Sequence, residues 1–142
     1  MTSELLTMEA RCQGSNKCLF DGQDLPVEIR ITNRHLTPVG YPLEFRQKTG
    51  PSIRLVDTLT KADAYLKSNL ADLALRDKFT EIPPGKYIAL KWVIKSGEIE
   101  QFVHPFVDLS AEITLLAEVE VDGRRTDAMI TDTIHITGKR KL

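Results

Sequence analysis

Apolar and polar side chains alternate along most of this chain with a repeat of two. That repeat puts successive side chains on opposite faces of an extended strand, so each alternating run predicts one buried and one wet face. In LPVEIRITN, Leu25, Val27, Ile29 and Ile31 share a face while Glu28, Arg30 and Thr32 take the other. Pro26 has no amide proton, which puts the opening of this strand at an edge or ahead of regular pairing. Asn33 ends it. KYIALKWVI repeats the pattern, and the aliphatic partners Ile88, Leu90 and Ile94 assign Trp92, the only tryptophan, to the core. The longest run, AEITLLAEVEVDG, turns Ile113, Leu115, Ala117, Val119 and Val121 inward and Glu112, Thr114, Glu118 and Glu120 outward. Leu116 interrupts that polar face, either beneath a neighbouring loop or as a contact surface.

Asp122-Gly123 supplies the positive φ values of a tight hairpin turn and leads into RRTDAMITDTIHITG. There Asp132 falls among Ile130, Ile134 and Ile136, which predicts either a bulge that shifts the phase or a wet end to the face. Leu6 to Cys12, Leu43 to Arg46 and Ile53 to Asp57 are shorter strand candidates. Turn residues punctuate these runs at close intervals, as in Pro83-Pro84-Gly85 and Thr49-Gly50-Pro51. The expected fold is a single all-β domain over 1–142, an antiparallel sandwich of about seven strands with tails at 1–8 and 139–142. One stretch departs from the pattern. Leu66, Leu70, Leu73 and Asp77 follow helical spacing, which predicts a helix over 61–77 capped by Thr60, or else a long, partly extended connection between sheets.

With 142 residues, 42% hydrophobic and 27% charged, the chain has enough apolar material for a core without staples. The formal charge of −1 removes the basic footprint on which nucleic-acid binding depends. The Lys139, Arg140, Lys141 cluster reads as a solvated end. MTSELLTMEARCQ does not have the form of a signal peptide, and no run approaches the roughly 20 apolar residues of a membrane span. The expected location is therefore cytoplasmic, without nucleic-acid or membrane partners. In that compartment Cys12 and Cys18 are expected as free thiols; a local disulfide is the reading for an exported chain.

Little in the chain points to chemistry. The three histidines, His35, His104 and His135, stand apart, and HExxH, GxSxG, phosphate-loop and GxGxxG motifs are all missing. No enzyme activity, cofactor or metal is expected on these grounds. His135 between two isoleucines belongs to a wet strand face. Glu112, Glu118 and Glu120 beside Arg124 and Arg125 read as solubilising charge that discourages edge association. His35 and His104 fall in loops, where rigid β scaffolds carry their function.

The order of segments resembles a known pattern. DGQDLPVEIRITNRHLTPV is similar to the opening of bacterial immunoglobulin-like domains, FTEIPPGKYIALKWVI to the phrase before their central strand, and VDLSAEITLLAEVEVDG to their closing strand. Two families share this layout: bacterial intracellular proteinase inhibitors, and the non-catalytic N-terminal domain of deuterolysin-like lysine-specific metalloendopeptidases. The likeness spans about Glu9 to Gly138. No zinc-binding catalytic domain follows before Leu142, and FVHPFVDLSAEI lacks the Pro-Gly-x-Tyr step of these families. The resemblance implies an immunoglobulin-like fold and a protein partner, a proteinase or its regulator, met sterically through loops. His35, Leu36 and Tyr41 in one loop and Phe102, His104 and Phe106 in another are the expected contact residues. The alternative is an adaptor or immunity-type subunit that pairs through a sheet edge or an exposed face.

Overall fold

A computed structural model describes residues 5–13, 18–102 and 106–139. Ten strands dominate: β1 (Leu6–Cys12), β2 (Cys18–Phe20), β3 (Leu25–Asn33), β4 (Val39–Tyr41), β5 (Ser52–Asp57), β6 (Asp63–Tyr65), β7 (Thr80–Ile82), β8 (Tyr87–Ile94), β9 (Phe106–Val121) and β10 (Arg124–Lys139). Two short helices, α1 (Leu43–Thr49) and α2 (Ser96–Glu100), and a 3-10 turn (Leu73–Asp77) complete the described residues. No helix among them is long and apolar enough to cross a membrane.

The strands form two sheets over one core. An antiparallel sheet orders β1, β3 and β8, and a larger one runs β2, β10, β9, β4, β7, with β5 and β6 alongside β9. The second sheet is antiparallel except where β2 lies parallel to β10. Alternation decides which side chains meet between the layers. Val27, Ile29 and Ile31 of β3 face Leu109, Ala111, Ile113, Leu115 and Val119 of β9 within a single buried cluster. Each fully buried aliphatic side chain contributes about 1.5–3 kcal/mol. Trp92 is half-buried and packs on the edge of that cluster.

The β9–β10 hairpin pairs residue for residue from Arg124↔Val121 to Lys139↔Phe106, so the bulge near Asp132 is absent. Asp132 keeps its inward parity and is half-buried because its charge is met. Oδ2 accepts from Ala10 N at 2.8 Å, on the free edge of β1, and Oδ1 from Thr133 N at 2.9 Å. The opposite edge of the small sheet is closed in a similar way. The Gln47 amide of α1 accepts from Lys91 N at 3.0 Å and donates to Lys91 O at 2.6 Å, standing in for a strand.

Several local expectations give way. The 61–77 segment is not a helix: β6 pairs with β5, Leu66 N reaches Ile53 O, Asn69 N reaches Thr49 O, and only the 3-10 turn is helical. Sheet pairing outcompetes the helical spacing here, leaving Leu70 and Leu73 in water. Thr60 caps a local turn, accepting from Ala62 N, rather than a helix. Leu43 to Arg46 is the start of α1 rather than a strand, since Pro42 ends β4 and lacks the N–H to continue it. The expected tail at 1–8 meets β1, whose pairing begins at Leu6↔Asn33. Residue 139 likewise lies in β10.

Cys12 and Cys18 are not free thiols but a disulfide, both buried, with Cα atoms 5.3 Å apart. The bond ties the end of β1 in one sheet to the start of β2 in the other. Replacing both cysteines by serine is expected to lower unfolding free energy by roughly 2 kcal/mol through the short closed loop, as measured by urea denaturation. An unchanged midpoint would show that β2 needs no such tether.

Candidate functional site

The loop between β3 and β4 is built on a buried amide. Asn33, wholly enclosed, donates from Nδ2 to Thr37 O at 3.0 Å and Ile82 O at 2.8 Å, and its Oδ1 accepts from His35 N at 2.7 Å. Its main chain also reaches the β7–β8 turn, with N donating to Lys86 O and O accepting from Gly85 N. Arg34 N then donates to Leu5 O, and Arg34 Nε to Thr7 Oγ1. Loop 34–38 is thus fastened to β1 on one side and the proline turn on the other. At its crest Leu36 is 91% exposed. His35 Nε2 lies 3.6 Å from Asp122 Oδ2, in the β9–β10 turn whose positive φ at Asp122 and Gly123 the Asp-Gly pair predicted.

The expected contact residues divide sharply. His35 and Leu36 stand at this end of the molecule. Tyr41 does not join them, being 1% exposed in the core because β4 turns it inward between Gly40 and Pro42. Burial pushes its hydroxyl pKa far above the ordinary value, with the Arg46 charge pulling it partly back. Phe102 is likewise buried, below α2. His104 lies outside the described residues. Phe106, half exposed, opens β9 and therefore sits at the opposite end from Asp122. Sixteen residues of strand separate the two ends, roughly 50 Å at about 3.3 Å per residue. One flat partner surface cannot span both loops.

Near the Phe106 end, His135 is exposed as its parity predicted and bonds Asp108 through Nε2. That hydrogen bond, supported by Thr58, holds the Asp108 carboxyl below its usual range. Both side chains of the pair are open to water. On the same outer face Glu112 binds Arg54 at 3.0 Å and Glu118 binds Arg125 at 3.4 Å, so two members of the acidic row serve as counter-charges. Among the described residues no group of three or more His, Cys, Asp or Glu could hold a metal ion.

The alternation missed Asn33 as a site residue, because a strand-ending asparagine reads the same whether its amide faces water or braces a loop.

No family model matches this chain, and no curated protein does. Among solved structures it is similar to the X-ray structure of Northeast Structural Genomics Consortium target SoR45, with a TM-score of 0.47 and 9% identity over 95% of this chain and 88% of that one. It is also similar to a protein from Archaeoglobus fulgidus, with a TM-score of 0.41 and 11% identity over 95% of this chain and 96% of that one.

Proposed function

We propose that this chain is a non-catalytic, immunoglobulin-like binding module that meets a protein partner sterically through loop 34–38, with proteinase inhibition as its most specific form. The observation that carries the reading is the setting of Leu36, a large apolar side chain held 91% exposed on a loop braced from beneath by Asn33. A pre-ordered loop has already lost the freedom that binding would otherwise remove. A leucine entering a partner pocket adds about 1.5–3 kcal/mol of burial. Pairing through the edges of the small sheet is disfavoured, because Asp132 and Gln47 already occupy the centres of both. The Cys12–Cys18 bond also favours an oxidising compartment over the cytoplasm, since glutathione keeps cytosolic thiols reduced.

Metallo- and serine proteinases assayed with the purified protein test the specific form. Inhibition at micromolar concentration is expected for at least one, and Leu36→Asp should abolish it while leaving the unfolding midpoint unchanged. Full inhibition by Leu36→Asp would remove loop 34–38 from the account; no inhibition across the panel would remove proteinases.

A further inference from the structure

A groove of about 340 Å³ opens where sheet pairing lapses along β9. β5 accompanies β9 as far as Ser52↔Thr114, and β4 resumes only at Gly40↔Glu120, so residues 115–119 have no strand on that side. The register explains the lapse. Two more residues of β4 would set Pro42 against Glu118, and proline has no N–H to donate there. The chain instead turns into α1, and Arg46 reaches back so that Nη2 donates to the Leu116 carbonyl. Pro42, Phe45, Leu116 and Ala117 supply apolar lining. Leu116, the residue that interrupts the polar face of β9, is 53% exposed here.

The arginines of this region differ in how their charge is met. Arg125, on the groove wall, has Asp77 at 2.7 Å and Glu118 at 3.4 Å. Arg54, farther along the sheet, has Asp63 at 2.8 Å and Glu112 at 3.0 Å. Arg46 is half-buried, lies over the Phe45 ring at 5.3 Å and pairs with no carboxylate among the described residues. A guanidinium carries five N–H donors, and this one has a single described acceptor while its Nε is closed off from water with none. Just before Pro42, the enclosed Tyr41 hydroxyl also has no partner, within electrostatic reach of Arg46. Arg76, on the 3-10 turn, adds a further cation to the lining and pairs with no carboxylate among the described residues.

A ligand in the groove meets the outer Nη groups of Arg46 rather than the enclosed Nε, and a charge-assisted hydrogen bond there is about twice as strong as a neutral one. We propose that this groove binds a single carboxylate carried on a small apolar group, its oxygens on the Arg46 guanidinium and its apolar part against Phe45 and Leu116. Arg76 raises the local potential, while the lining carboxylates Asp77, Glu118 and Asp127 oppose polyanions such as nucleotides. The site is separate from loop 34–38 and stands or falls independently of it.

Titration of the isotope-labelled protein with N-acetylleucine, followed by amide NMR, tests this. Saturable millimolar shifts at Arg46, Leu116 and Glu118 are expected, with N-acetylleucinamide weaker by about tenfold or more. Arg46→Gln should lose a similar factor. Because Arg46 also holds Leu116, Arg76→Gln on the exposed turn is the second variant, expected to weaken binding about two- to fivefold with the spectrum otherwise intact. A leucine-ended tetrapeptide distinguishes sources: tighter binding than the free acid assigns the carboxylate to a chain terminus, equal binding to a free acid. Equal affinity for acid and amide, or no saturation in a folded protein, overturns the proposal.

Discussion

Asn33→Ala is expected to lower unfolding free energy by about 3–5 kcal/mol and the melting temperature by roughly 10–15 °C. The substitution strands the Thr37 and Ile82 carbonyls and the His35 N–H, which now share one enclosed amide. Each unmet group costs about 1–3 kcal/mol, and shared neighbours keep the three from adding fully. Asn33→Asp gives the effect a pH signature. Its carboxyl would face two carbonyl oxygens in an enclosed site, so the charged form is penalised and the folded pKa rises above the unfolded one. The native state then binds more protons than the unfolded state, and stability falls as pH rises. The deficit should therefore be larger at pH 7 than at pH 4 in urea titrations. An Asn33→Asp protein with the same deficit at both pH values would show that water reaches the site.

Gly50→Ala is the second large effect. Gly50 has φ 81° and ψ 167°, a conformation essentially confined to glycine and costing other residues about 1–3 kcal/mol. A methyl group there would also strike the Trp92 ring, overlapping Cζ2 and Cη2 with Cε2 at 2.7 Å. Overpacking adds about 1–3 kcal/mol, giving roughly 2–6 kcal/mol in total. A double-mutant cycle separates the parts, because Trp92→Leu removes the ring and leaves the backbone strain. Gly50→Ala should cost about 1–3 kcal/mol less in the Trp92→Leu background. Equal costs in both would place the whole effect in the backbone.

Much of the fold was legible in the alternation because burial acts on alternate side chains. The inward rows of β3, β8 and β9 came out in phase, and so did the Asp-Gly turn. What the pattern could not carry was competition between distant segments. Leu66, Leu70 and Leu73 have helical spacing, yet β5 offers residues 63–65 an edge, and the ladder prevails. Asp132 looked like a break in phase because a carboxylate on an inner face is costly unless met. Its partner, Ala10 N, lies more than a hundred residues away. Phe102 and Tyr41 carry no local sign in the sequence that β4 and α2 turn them inward. Leu36 was legible as an apolar residue in a turn, but its exposure and its brace depend on β7 and β8, which only the fold brings beside it.

The most direct test of the central claim places an acidic side chain at each end of the molecule in turn. Immobilised wild type, Leu36→Asp and Phe106→Asp are exposed to an extract of the native host, and retained proteins are identified by mass spectrometry. The account predicts a partner held by wild type and by Phe106→Asp but released by Leu36→Asp. Retention by Leu36→Asp together with loss from Phe106→Asp would contradict it and move the binding surface to the far end of β9.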